Sequence, residues 1–274
     1  MYEAYWQLQQ KPFATQCEAK AYYPTETHQG ALLKLRYAIE NRRGAALLIG
    51  PSGCGKTMLV RMLAEQLPES YRPFVHLVFP QMPVADLLAY LAVELQATSE
   101  RDSAAPSTDT SVRRIQHRLA EIAAQGGHAV IAIDEAHLID GGRAFEALRL
   151  LLNFEAASGP ALTLLLVGQT GLAPMLSRMP QLEERLAVKC LIRSLSIEET
   201  MSYVQHRLAV AGSDRTIFEP AAIEAVHEMS HGIPRQINRL CDLALLVGFA
   251  EEYRTIGPAH IEAVGQDLVT ITSC

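Results

Sequence analysis

Long hydrophobic runs are missing from this chain. The longest, Leu162 to Val167 and Leu243 to Ala250, fall well short of the ~20 apolar residues that span a bilayer. The start, Met1-Tyr2-Glu3-Ala4-Tyr5-Trp6, has neither the basic opening nor the apolar core of a secretory leader, so a cytoplasmic protein with no membrane span is expected. Cysteine is sparse: the five (Cys17, Cys54, Cys190, Cys241, Cys274) are scattered and contain no C-x-x-C pair. Neither a disulfide framework nor a zinc site is indicated, and reduced thiols are expected. Positive charge is also short, with 24 Lys and Arg against 30 Asp and Glu and a net charge of −6. That argues against a globally basic nucleic-acid binder but leaves room for a local basic strip. What is present, 274 residues of which 49% are hydrophobic and 20% charged, suits a globular chain with one large or two smaller domains.

The most informative stretch is Gly50-Pro51-Ser52-Gly53-Cys54-Gly55-Lys56-Thr57-Met58. It follows the apolar run Ala45 to Ile49 and precedes a segment of helical period, Met58 to Ala64, so it reads as strand, glycine loop and helix. The spacing is that of a phosphate-binding loop, G-x-x-x-x-G-K-[ST]. Glycines 50, 53 and 55 let the backbone approach a ligand and turn successive N–H groups toward phosphate oxygens. The helix that follows adds its unpaired N–H groups and the positive end of its dipole. Lys56 is placed to neutralise the β- and γ-phosphates of ATP, and the Thr57 hydroxyl to ligate Mg2+.

Along the chain, residues 1 to 28 carry Tyr2, Tyr5, Trp6, Phe13, Tyr22 and Tyr23 and read as an irregular aromatic lead-in. Strands are expected at Phe74 to Phe79, Ala129 to Ile133, Leu162 to Gly168 and Val188 to Ile192. Between them the spacing predicts helices at Met82 to Leu95, Val112 to Gln125 and Ala144 to Ala156, a shorter one at Gly171 to Met179, and a mobile polar loop from Ala97 to Ser111. Alternating strands and helices require a parallel sheet with right-handed crossovers. The third strand ends in Asp134-Glu135-Ala136-His137, an acidic pair after an apolar strand: a Walker B element. Asp134 would hold Mg2+ and Glu135 would act as general base on the attacking water. Gln169, at the tip of the next strand, stands where a γ-phosphate sensor belongs.

From Ser196 the pattern is helical only, with Ser196 and Glu199 matching a capping box and four helices reaching to about Leu268. The expected division is an α/β nucleotide-binding domain over 1–195 and a helical lid over 196–274. Arg113, Arg114, His117 and Arg118 cluster on one helix, a solvated face or a DNA or partner contact.

Together these features resemble an AAA+ P-loop ATPase, and within that class the ExeA/GspA-type secretion ATPases and the TniB/TnsC-like ATPase subunits of transposition systems. Further carriers are Lys11-Pro12-Phe13, Leu166-Val167-Gly168-Gln169 and His231-Gly232-Ile233-Pro234-Arg235-Gln236-Ile237-Asn238-Arg239. The resemblance implies a five-stranded sheet of order 5-1-4-3-2, ATP with Mg2+ held between subunits, and assembly into a ring or filament. It implies that Arg235 is sensor 2, reaching the γ-phosphate from the lid, and that Arg185 is an arginine finger offered to a neighbour, with Arg178 as second choice. It also implies a protein partner in secretion or transposition, and DNA as a possible ligand.

The chain departs from full secretion ATPases in stopping soon after the lid, and from many AAA+ proteins in carrying Gln169 where Asn is common. The expected function is slow Mg-ATP hydrolysis that switches assembly or remodels a partner. The alternatives are an ATP-dependent DNA-binding transposition regulator and an ATP-gated scaffold with little turnover. A superfamily helicase is disfavoured, because the helical remainder offers no second RecA-like domain.

Overall fold

The computed structural model describes residues 1–14, 22–97, 107–156 and 159–272. The first part of the chain forms α1 (Glu3–Trp6), α2 (Glu26–Glu40), β1 (Ala45–Ile49), α3 (Lys56–Gln66), β2 (Phe74–Leu77), α4 (Val84–Glu94), α5 (Thr108–Ala124) and β3 (Ala129–Ile133). There follow α6 (Gly142–Leu151), the two-residue strands β4 (Glu155–Ala156) and β5 (Gly159–Pro160), β6 (Leu162–Gly168), α7 (Leu172–Leu176), α8 (Pro180–Glu183) and β7 (Leu186–Leu191). The last helices are α9 (Ile197–Val210), α10 (Pro220–Ser230), α11 (Pro234–Ala250) and α12 (Pro258–Thr272). Contacts divide the chain into two units, one of Thr27–Gly50 with Lys56–Ile192, the other of Met1–Glu26 with Pro51–Gly55 and Arg193–Cys274.

The first unit is a five-stranded parallel sheet of order β2-β3-β6-β1-β7. Counted along the chain, these five strands read 5-1-4-3-2 from the β7 edge, the expected order. β3 and β6 are buried at every position, as strands covered on both faces must be. The edge strands β2 and β7 alternate in burial. Register pairs Leu77 with Ile133, Ile133 with Leu166, and Ile49 with Gly168, so the carboxyl ends of four strands meet along one edge. Loops leaving that edge carry the polar residues the strands cannot hold.

Several boundaries differ from the sequence expectation by a few residues, and two of the shifts have a visible cause. α5 begins before Val112, because the Ser107 hydroxyl caps it by accepting the Thr110 N–H at 3.2 Å. α6 stops at Leu151 rather than Ala156, and the chain turns through Asn153 and Phe154 into the antiparallel β4–β5 ladder. Of the polar loop expected over 97–111, residues 98–106 lie outside the described residues, as do Cys17 and Cys274.

In the second unit the lead-in packs on the helices. Trp6, 1% exposed, donates its indole N–H to Leu245 O at 2.9 Å, and Tyr2 hydrogen-bonds the Asp242 carboxylate. Gly248 makes room for the indole: a Cβ there would meet Trp6 Cζ2 at 2.8 Å. Buried Arg207 on α9 donates to the carbonyls of Pro12 (2.6 Å) and Ala14 (3.1 Å), so one guanidinium straps Lys11-Pro12-Phe13 to the helices. The reason is composition: the lead-in is aromatic and the helices supply an apolar cluster that includes Val204, Phe218, Leu240 and Leu245. The capping box on α9 forms as expected, with Ser196 and Glu199 each accepting the other's N–H.

At the amino ends of the strands, His128 is buried, its Nε2 2.9 Å from Thr163 Oγ1, which itself donates to Arg43 O. Burial, then the nearby Arg42 charge, pushes its pKa down to about 4. The unfolded chain, with an ordinary His near 6.5, binds the extra proton first, so this part of the stability is present above about pH 6.5 and lost as pH falls toward 4. We expect acid titration over that window to lower the unfolding free energy by up to about 3 kcal/mol through this group. A His128→Asn variant followed by denaturant unfolding should show a flatter slope over the same window.

Candidate functional site

At the sheet edge of the α/β unit, Gly50 follows β1 and donates its N–H to Gly168 O at 3.3 Å. Only glycine fits, since a Cβ would lie 2.7 Å from Ile192 O. Lys56 opens α3 and is 5% exposed, with its ammonium donating to Gly50 O at 2.9 Å. One residue on, the Thr57 hydroxyl donates to Asp134 Oδ2 at 2.7 Å. Asp134 also accepts the Glu135 N–H on Oδ1 at 2.9 Å, and His76 Nε2 on β2 lies 3.5 Å from Oδ2. Burial raises the Asp134 pKa, but the neighbouring His76 ring and hydrogen bonds from Thr57 and the Glu135 N–H outweigh it, and the carboxyl sits below its ordinary range. A buried, ionised carboxylate against a hydroxyl is a donor set for a hard cation that keeps water and phosphate oxygens as its other ligands.

Glu135 has a left-handed backbone, φ 49° and ψ 35°, which is strained for a residue with a Cβ. Its side chain is 37% exposed, and Oε2 lies 3.4 Å from His137 Nδ1. The same ring nitrogen accepts the Gln169 N–H at 3.4 Å. The Gln169 side chain is exposed at the tip of β6.

Within the helical unit, Gly53 takes φ +83° and accepts the backbone N–H of Arg235 at 3.3 Å. A Cβ on Gly53 would meet Arg235 Cβ at 2.8 Å and Ile233 Cγ2 at 3.0 Å. The turn that brings α11 there is made by His231 (φ 50°) and Gly232 (φ 69°), with Pro234 opening the helix and Arg235 exposed in its first turn.

The structure thus brings together Gly50 with Lys56, Thr57 with Asp134, Glu135 with Gln169 through His137, and Gly53 with Arg235. Arg185 and Arg178 are exposed. Arg185 does not pair with Glu183 or Glu184: it donates to Asn153 Oδ1 at 3.1 Å, while Lys189 takes Glu183 at 2.6 Å. The basic cluster on α5 is interleaved with acid, Arg113 pairing with Asp109, and His117 and Arg118 facing Glu121. Sequence reasoning passed over His76 and His137. The first shows only as a polar interruption of an apolar strand, the second only as the last letter of Asp-Glu-Ala-His.

Residues 39–176 match the AAA domain family. The chain belongs to that family, the AAA+ P-loop ATPases. It is 36% identical over 253 residues to general secretion pathway protein A of Aeromonas hydrophila, an alignment that covers 91% of this chain and 45% of that protein. The chain therefore spans less than half the length of that relative. Among solved structures it resembles the ORC2 protein of Aeropyrum pernix in ADPNP–ADP complexes, with a TM-score of 0.69 at 15% identity over 94% of this chain and 71% of that one. The Drosophila ORC bound to DNA gives a TM-score of 0.70 at 15% identity over 94% and 64%. A RuvB of Thermotoga maritima gives 0.59 at 17% identity over 89% and 70%. At such identities these likenesses describe the fold: a parallel sheet flanked by helices with a helical C-terminal part. Among the described residues, no helix is long and apolar enough to cross a membrane.

Gly53 combines a positive φ with close neighbours where a Cβ would stand. We expect Gly53→Ala to weaken binding of a fluorescent ATP analogue at least tenfold while circular dichroism stays that of the parent, because the cost falls on loop conformation and not on the core.

Proposed function

We propose that this chain binds Mg-ATP on the loop Gly50 to Met58 and hydrolyses it at a site completed by a second copy. The observation that carries this reading is the 2.7 Å hydrogen bond from Thr57 to the buried Asp134 carboxylate, with the strained Glu135 directly after it. Lys56 and the loop N–H groups would orient the triphosphate, and Thr57 and Asp134 would hold the Mg2+, which offsets phosphate charge. Glu135 would take a proton from a water attacking the γ-phosphorus as the bond to the β-phosphate oxygen breaks and ADP leaves. Gln169 would sense the γ-phosphate, and Arg235 would act as sensor 2. Arg185, with Arg178 as second choice, would reach a neighbour's site as arginine finger; among the described residues no carboxylate neutralises it.

On this reading, turnover is slow in the isolated chain and rises on assembly, and the ATP cycle switches assembly or remodels a partner. The likeness to general secretion pathway protein A supports a secretion-type partner; a transposition-type partner rests on the motif resemblance. DNA is the weaker option, since the cluster at Arg113, Arg118 and His117 is largely spent on helix ion pairs.

Glu135→Gln should cut ATP turnover by about 10²-fold or more and leave binding intact. Rate per subunit should rise with protein concentration. Arg185→Ala mixed with Glu135→Gln should turn over faster than either alone, because mixed neighbours rebuild some complete sites. Equal rates in wild type and Glu135→Gln would instead favour the scaffold.

A further inference from the structure

We propose that His137 is a positioning residue for hydrolysis, its Nδ1 being one atom for which the base Glu135 and the β6 tip at Gln169 compete. The inference rests on the ATPase reading above.

The geometry is a conflict over one nitrogen. Gln169 donates its N–H to Nδ1, which requires a lone pair there, so the proton of the neutral ring sits on Nε2. Glu135 Oε2, at 3.4 Å, faces the same nitrogen and is attracted only when Nδ1 carries the proton. Both contacts cannot be hydrogen bonds at once. While Gln169 holds Nδ1, the Glu135 carboxylate has no donor at that position and is free to turn toward water. When the β6 tip moves its N–H away, the ring proton can reside on Nδ1 instead, with no change in charge, and a donor then holds Glu135.

Three further features support a built arrangement. The ring is largely buried, with its side chain only 16% exposed. A Cβ on Gly168 would lie 3.2 Å from Nδ1, so the glycine before Gln169 is what lets ring and strand approach. The turn that aims the imidazole is the one that forces Glu135 into its left-handed conformation, with Leu138 N–H closing onto Glu135 O at 2.8 Å. His137 thus joins the strand tip that would feel the γ-phosphate to the carboxylate that would use it.

The test measures ATP turnover and nucleotide affinity for wild type, His137→Ala, His137→Asn, Glu135→Gln and the double variant His137→Ala with Glu135→Gln. Positioning predicts that His137→Ala lowers kcat about tenfold or more while KM and affinity stay within about twofold. Asn, whose amide places a donor or acceptor near the Nδ1 position, should restore at least a third of wild-type kcat. In the Glu135→Gln background the alanine should cause no further loss, since the residue acts only through Glu135. If the alanine does not fold, the asparagine carries the test, with kcat between wild type and Glu135→Gln and unchanged affinity expected. Wild-type kcat in His137→Ala, equal loss in kcat and affinity, or additive losses in the double variant would overturn the inference. Wild type no faster than Glu135→Gln would overturn the hydrolytic reading first, and the inference with it.

Discussion

The hydrogen bond between Thr57 and Asp134 is the constraint around which the α/β unit is arranged. It ties the first turn of the helix after β1 to the residue after β3, two strands that are not neighbours in the sheet: β6 lies between them. Such a bond forms only if the strands run parallel and in register, so that their carboxyl ends finish level. The pairings of Ile49 with Gly168 and of Ile133 with Leu166 achieve that. Because β3 and β6 are buried throughout, their one polar side chain, Thr163, is fully hydrogen-bonded at the amino end, and the chemistry is displaced to the residues just past their carboxyl ends.

Those residues are held in conformations that an unconstrained chain avoids. Glu135 is left-handed, Gly50 and Gly168 have atoms where a Cβ would stand, and Gly53 and Gly55 both have positive φ. Each such departure costs on the order of 1–3 kcal/mol where it falls on a residue with a Cβ. The offset comes from the apolar layers around the sheet, whose members from Leu47 to Leu182 are almost wholly buried. Strain at the edge and close packing behind it are two aspects of one arrangement, since a looser core would let the left-handed turn relax. The pattern recurs in the helical unit, where His231 and Gly232 reverse the chain so that α11 begins with Pro234 and Arg235.

Much of this was legible in the sequence because it depends on local rules. A glycine loop between an apolar run and a helical period, an acidic pair after Ile133 and a capping box at Ser196 each announce themselves within a few residues. The strand order came from resemblance, since periodicity alone does not say which strands are neighbours. What escaped the sequence depends on contacts between distant positions. The seat of Trp6 on Leu245, the strap from Arg207 to Pro12, and the meeting of His137 with Gln169 across two strands leave no spacing to read. The end of α6 at Leu151 was missed for a related reason. An apolar period through Leu151 and Leu152 carries the eye past Asn153, and only the small ladder at Glu155 shows where the helix had to stop.

The arginines show how structure separates residues that sequence treats alike. Arg113 and Arg118 stood out as a basic strip, yet each lies a helical turn from a carboxylate, and such pairs on an exposed face do little beyond supporting the helix. Arg185 is flanked in sequence by Glu183 and Glu184, either of which could have neutralised it. Its neighbour Glu183 is instead taken by Lys189 and the Ser177 hydroxyl, and the guanidinium rests on a neutral amide. A hydrogen bond to Asn153 directs the side chain without cancelling its charge. An exposed guanidinium held in place but left positive keeps its electrostatic attraction for an anion outside the chain. Burial and partner, more than the density of basic residues, distinguish a charge that builds the fold from one that remains available for chemistry.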